Sequence, residues 1–276
     1  MSSATAVQPG TAPARPKGRA TLLHVIRSEW TKLWSVRSTM WTLIALFLLV
    51  VGFGVLISWG TESNLNQMPP EQRATFDATG TSLTGIFFGQ LALAVLGAMV
   101  ITAEYSTGGI RTTLSAVPKR LRMLAAKALV LAVVAWVVGT VVSFVAFFAG
   151  QAFLDKANVG TTLSEPGVLR AVMGGGLYLL GSAMFGFALG ALLRHTPAAI
   201  TMVVALLLIV PPFMQLLPGE WGKTVNQWFT ANAGSQITFV NPQANSLGPW
   251  QGYAVFTAYW VLILAVAAFL LERRDA

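Results

Sequence analysis

The 276-residue chain contains no cysteine, only two histidines, and 10% charged residues. Without cysteine there can be no disulfide, thiolate metal site or cysteine nucleophile, and nothing can be read about redox compartment. His24 and His195 are isolated, whereas a tetrahedral metal site needs three or four converging ligands, so no metal site is expected. A soluble domain carries about 25% charged residues; at 10% charged and 55% hydrophobic, a soluble fold is excluded. His-Glu-x-x-His and Gly-x-Ser-x-Gly are both absent, which removes the zinc-hydrolase and serine-hydrolase signatures. The segment Pro218–Thr224 ends in Gly-Lys-Thr, but Leu217 stands where a phosphate loop needs its first glycine, so this chain is not expected to bind a nucleotide. The spans also carry too few acidic residues for a proton relay. No catalytic residue and no cofactor are assigned to this chain.

What the sequence has instead is long apolar runs. Six are long enough to cross about 30 Å of hydrocarbon as helices: Met40–Trp59, Ser82–Ala103, Met123–Phe153, Val168–Leu193, Pro197–Leu217 and Gln251–Leu271. The expected fold class is therefore an all-α polytopic membrane protein. The net charge of +8 would point to nucleic acid in a soluble chain, but here its distribution matters more. Fourteen basic residues fall on one side of the spans: Arg15, Lys17, Arg19, Arg27, Lys32, Arg37, Arg111, Lys119, Arg120, Arg122, Lys127, Arg194, Arg273 and Arg274. Only Arg73, Lys156, Arg170 and Lys223 fall on the other. Basic residues prefer the cytoplasmic side, so both termini are expected there, with the lipid bilayer as partner and no nucleic acid.

Residues 1–20 are rich in Ala, Pro, Thr and Ser without an apolar run, and are expected to be a disordered cytoplasmic tail rather than a signal peptide. The first span would then be an uncleaved signal anchor. Residues 21–38 read as an amphipathic interfacial helix: Leu22, Ile26, Trp30 and Leu33 recur at helical spacing, flanked by Leu23 and Trp34, with Arg27, Ser28, Thr31, Lys32 and Ser35 on the other side. The tryptophans suit the headgroup layer. Glu29, between Arg27 and Lys32, is expected to pair locally, and such an exposed pair contributes under about 1 kcal/mol. An anchor and a partner contact are both open as roles for this helix.

The most polar passage between spans is EYSTGGIRTTLSAVPKRLR, residues 104–122. Glu104 puts a carboxylate at the membrane edge, where burial is costly without a partner. Gly108-Gly109 permit a change of direction. Ile110, Leu114 and Val117 recur at i, i+4 and i+7, with Arg111, Thr112, Thr113 and Ser115 elsewhere, which predicts a two-turn amphipathic helix ended by Pro118. Two readings stand at this point: a surface helix that docks in a partner's groove, and a basic loop that only orients two spans.

Smaller features add to the plan. Gly85-x-x-x-Gly89 and Gly186-x-x-x-Gly190 allow close helix approach, read as packing within one subunit. Gly174-Gly175-Gly176 and Pro211-Pro212 are expected to bend or break spans four and five. Between Pro218 and Pro249, Trp221, Trp228, Phe229 and Trp250 lie among Asn and Gln, which predicts short interfacial or re-entrant helices.

The series Glu104-Tyr105 and Gly109-Ile110-Arg111-Thr112-Thr113-Leu114, with the basic stretch after it, resembles the intracellular loop of ABC-2 type transporter permeases, particularly actinobacterial ones. Arg27-Ser28-Glu29-Trp30-Thr31-Lys32-Leu33 and Arg37-Ser38-Thr39 resemble the same family's membrane-entry segment, as does the ending from Leu247-Gly248-Pro249-Trp250 to Arg273-Arg274-Asp275-Ala276. The resemblance implies a six-span permease domain over residues 39–276 and makes Gly108 to Val117 a coupling helix that fits a cleft on a separate ABC ATPase subunit. ATP and Mg are then expected on that ATPase. A second permease subunit, identical or homologous, is expected to complete the path. By the same resemblance Glu104 helps relay motion, with local pairing, for instance to Arg111, as the alternative. Trp221, Trp228, Phe229 and Trp250 would belong to an outer lid. The implied function is export of an amphiphilic substrate. An ATP-independent secondary carrier and a non-transporting scaffold or immunity protein are the competing classes.

Overall fold

The computed structural model describes residues 22–65, 68, 69, 71, 73, 76–106, 120–241 and 245–273. Among the described residues the fold is all-helical, and six helices are long and apolar enough to cross a membrane. The expected tail, residues 1–20, lies outside the described residues.

Helix α1 (Leu22–Ser35) is followed at once by α2 (Arg37–Asn64), the first span. A short helix, α3 (Ala78–Leu83), precedes α4 (Ile86–Ser106), and together they make the second span. Asp77 caps α3 by accepting the Gly80 N–H at 2.9 Å, as expected where a helix starts with unpaired donors. The third span is α5 (Arg120–Leu154) and the fourth is α6 (Val168–Leu193). At 35 residues, α5 reaches about 52 Å, well beyond the hydrocarbon layer. Helix α6 begins after Gly167 and ends at Arg194, both in the left-handed backbone region with φ of 86° and 55°.

The fifth span is interrupted: α7 (Thr196–Val204), a π-helical turn (Ala205–Ile209) and α8 (Val210–Met214). Pro211 and Pro212 supply no N–H to the carbonyls before them, and the wider π turn lies directly upstream of that gap. The disturbance expected there takes the form of this change in helix type, while the chain stays helical from Thr196 to Met214. At Gly174–Gly176 no break occurs, because α6 runs through the triplet as continuous helix. The triplet serves close packing instead. A Cβ at Gly174 would meet the Ile237 carbonyl oxygen at 2.4 Å, and one at Gly176 would meet Thr140 Oγ1 at 2.2 Å.

The fourth span is the axis of the molecule and is buried along most of its length, whereas the first and last spans turn much of their surface outward. It packs most extensively on α4, then on α5. Glycines set the α4–α6 distance: a Cβ at Gly186 would lie 1.8 Å from the Ala94 carbonyl oxygen, and one at Gly97 would lie 2.0 Å from that of Ala183. The Gly85 and Gly89 pair accommodates Val50 of α2 in the same way. Both small-residue motifs thus pack within this subunit.

Past the fifth span come α9 (Gly219–Trp228), α10 (Thr230–Ser235), a single 3-10 turn (Gln236–Thr238) and the last span, α11 (Pro249–Arg273). The short helices expected between Pro218 and Pro249 are present. Trp221, Trp228 and Trp250 are exposed and Phe229 is half-buried. Lys223 of the Gly-Lys-Thr sequence sits on α9, 2.7 Å from Glu220.

Candidate functional site

Two of the expected features meet where α1 crosses the ends of α4 and α5. Glu29 and Lys32 come from α1, Glu104 from the last turn of α4, and Lys127 from the second turn of α5. Lys32 Nζ lies 2.8 Å from Glu29 Oε1 and 3.1 Å from Glu104 Oε1. Lys127 Nζ lies 2.9 Å from Glu104 Oε1 and also donates to Glu29 Oε2. The result is a closed ring of alternating charge, neutral in sum, that joins three helices.

Burial makes this ring different from a surface ion pair. Glu29 and Lys127 are each 4% exposed, Glu104 is 14% exposed, and only Lys32, at 43%, reaches well out. Burying a charge is tolerable only when a partner offsets the lost hydration. Here each buried ion touches at least one of opposite sign. Burial alone would lower the Lys32 pKa, but the Glu29 hydrogen bond and the charges of Glu104 and Glu29 outweigh it, so Lys32 sits above its ordinary value.

The geometry corrects the expected face of α1. Its buried stripe is Val25, Glu29 and Leu33, with Ile26 half-buried beside it, whereas Trp30 of the expected stripe is exposed. Glu29 pairs locally with Lys32 as expected, but it is buried rather than exposed and turns inward to Lys127, 98 residues away. The Lys32 contact is retained as one side of the ring. Leu33 packs on Val130 and Val134 of α5. Trp30 and Trp34 form a tilted pair 5.8 Å apart on the exposed side, where Arg27 also lies. Tryptophans facing away from the bundle suit an interfacial anchor.

A cavity of about 630 Å³ opens beside the ring. Its polar end carries Glu29, Lys32, Glu104 and Lys127, and its apolar wall is Leu96, Met99, Val100 and Val130. The other carboxylate oxygen, Glu104 Oε2, is buried and has no hydrogen-bond partner among the described residues. Glu104 therefore uses one oxygen to hold two lysines, and open space adjoins it. A helix end held this way has room to shift.

The opposite side of the same helix end is tied to the fourth and fifth spans. The Arg194 guanidinium lies 5.3 Å from the centre of the Tyr105 ring, a cation–π contact. The Thr196 hydroxyl donates to that of Thr102 at 2.8 Å, and the Thr102 hydroxyl donates to the Ala98 carbonyl of its own helix at 2.9 Å. The last turn of α4 is thus a junction for α1, α5, α6 and α7.

Of the residues singled out in the 104–122 passage, Glu104 is in this junction. Gly108, Gly109, Ile110, Arg111, Thr112, Thr113, Leu114 and Val117 lie outside the described residues. Lys127 was counted in the sequence only as a topogenic charge. Its signal was there: a lysine within LRMLAAKALVLAVV stands inside an apolar helix and requires a partner.

The sequence model of the family described as "ABC-2 family transporter protein" matches residues 25–211. That range runs from the start of the buried stripe of α1 into the last turn of the fifth span. A comparison with curated proteins gives no match.

Proposed function

The chain belongs to the ABC-2 transporter family, and on that footing we propose that it is the membrane subunit of an exporter driven by ATP that a separate ATPase subunit hydrolyses. The matched range, which includes every residue of the ion-pair ring, is the observation that carries this reading. In this reading ATP and Mg are bound by the partner ATPase, in keeping with the lack of a phosphate loop in this sequence. Two permease subunits, identical or homologous, would form the path, in the cytoplasmic membrane with both termini inside.

In this proposal the segment Gly108 to Val117 receives the ATPase, and the ring passes its displacement onward. Glu104 lies four residues before that segment, and Lys127 follows it by ten. A push on the connection would act on α4 and α5 together, and through Glu29 and Lys32 on the surface helix. Rigid helices joined at a bistable contact are a recognised way to convert a local push into a two-state change. Trp221, Trp228, Phe229 and Trp250 would then cap the far end of the path, and the cargo would be amphiphilic.

The test is co-purification of the permease with its ATPase, followed by ATP-dependent flux in proteoliposomes, for wild type and for Arg111→Ala with Leu114→Ala. The expected result is loss of both association and flux in the double variant with its helical content unchanged. Undiminished assembly and ATP-coupled flux would refute the docking role, and flux without any ATPase would mark a secondary carrier.

A further inference from the structure

At the end of the bundle opposite the ion-pair ring, a second cavity of about 430 Å³ lies between the start of α4, the end of α8, and helices α9 and α10. Its volume falls within the range of small-molecule sites, about 300–1,000 Å³. Its walls are unlike those of the first cavity. Side-chain amides dominate, with Asn226, Gln227, Asn232 and Gln236 among them, and Phe87 and Phe239 supply aromatic surface. Among the described residues no carboxylate lines it, and the one cation that does, Lys223, is engaged by Glu220 at 2.7 Å.

We propose that this cavity binds a neutral, hydroxyl-rich group: a sugar, free or carried as a glycolipid headgroup. The argument is one of matching chemistry. Among the described lining residues an anion would find no uncommitted cation and a cation no carboxylate, while an alkyl chain would strand the amides. A carboxamide offers two donors and an acceptor, which is the complement of a hydroxyl that both gives and takes a proton. Aromatic walls beside amides accommodate the C–H face of a sugar ring while its hydroxyls are bound at the edge.

The amides are also held in place. Asn232 Nδ2 donates to Asn226 Oδ1 at 2.6 Å, and Gln236 Nε2 donates to the Asn232 carbonyl at 3.1 Å. Those bonds leave Gln236 Oε1 buried with no hydrogen-bond partner among the described residues. Buried polar atoms are nearly always satisfied, so this acceptor calls for a donor, which a hydroxyl or a water it orders would provide. Binding would also be felt in the core: the Phe87 carbonyl accepts from Gln90 Nε2 at 2.8 Å, and Gln90 Oε1 accepts from the buried Tyr178 hydroxyl. None of this depends on the transport reading.

The experiment uses the full chain in phosphatidylcholine nanodiscs prepared without glycoside detergents. One arm titrates free maltose and reads saturation-transfer NMR. The other builds a diglucosyl diacylglycerol into the disc and reads its retention by native mass spectrometry. Inorganic phosphate and choline serve as charged probes. The expected result is saturable binding in at least one sugar arm, weakened about tenfold in Gln227→Leu and in Asn226→Leu, with Glu220→Gln unchanged and neither charged probe competing. Binding of maltose identifies a free-sugar site, and binding of the glycolipid alone a headgroup site. Asn226→Leu removes a bond between α9 and α10, so Gln227→Leu decides the matter if that variant misfolds. No binding in either arm, equal binding by Gln227→Leu, or displacement by phosphate or choline would overturn the proposal.

Discussion

Helix α4 is held in two contrasting ways along its length. Against α6 it is set backbone to backbone, with Gly97 beneath the Ala183 carbonyl and Gly186 beneath that of Ala94. At its last turn it is held by charge, through Glu104 to Lys32 and Lys127, beside a cavity of about 630 Å³. The glycine seam has nowhere to go, since neither carbonyl can retreat without moving a helix. The ion-paired end has space beside it, and contacts that exchange partners without leaving a charge stranded. The seam therefore behaves as a fixed hub, and the charged end is where motion can enter.

The largest effect is expected where the seam is broken. Gly186→Leu should destabilise the protein by about 3 kcal/mol or more and abolish recovery of monodisperse protein, as judged by size exclusion and thermal unfolding. Near-normal recovery would show that the seam is looser than the clash of a Cβ at Gly186 with the Ala94 carbonyl implies.

A smaller but diagnostic effect is expected in the ring. Lys127→Met leaves Glu29, which is 4% exposed, without its buried partner, and removal of one member of such a pair costs about 3 kcal/mol. Because the ring is neutral, adding Glu29→Gln restores the balance of charge. The double variant should be more stable than Lys127→Met alone in denaturant or thermal unfolding. A double variant that loses the sum of both single changes would mean that the four residues do not act together.

Lys32→Gln should have the least effect, under about 1 kcal/mol, because Lys32 is 43% exposed. Its pH dependence has a definite sign. The Lys32 pKa is raised in the fold, so its contribution is complete below the ordinary lysine value and lost as pH rises through the raised one. The stability difference between wild type and Lys32→Gln should be flat across neutral pH and vanish only in strongly alkaline solution.

Much of the fold could be read from hydrophobicity because a spanning helix leaves a long signature. All six spans lie where the apolar runs place them, although α2 extends from Arg37 to Asn64, past the expected Met40–Trp59. Helix ends in polar surroundings are set by capping and solvation rather than by the apolar run. The glycine triplet of α6 misled for a different reason: a glycine that bends a helix and one that admits a neighbour look alike until the neighbour, here Ile237 or Thr140, is known. Proline left no such ambiguity, because its missing N–H acts locally.

The site was legible in its parts and not in its assembly. Glu104 stood out as a carboxylate at a membrane edge. Glu29 was assigned to nearby charges because sequence proximity was the only geometry at hand. Lys127 needed the reverse inference, from a charge inside an apolar helix to an unseen partner. Pairing across 98 residues is a product of how α1 folds back over α5, and helical periodicity within either segment contains no information about it.

The absence of cysteine makes the central claim, that the buried ring fastens α1 to the second and third spans, open to a direct measurement. Val25 is 6% exposed on the docked face of α1, and Val25→Cys would be the only thiol in the chain. Its reaction rate with a membrane-impermeant maleimide, in nanodiscs, reports how often α1 lifts. The account predicts slow labelling in the otherwise native protein, a rise of more than about tenfold on adding Lys127→Met, and little change on adding Lys32→Gln. Equal labelling rates with and without Lys127→Met would contradict it.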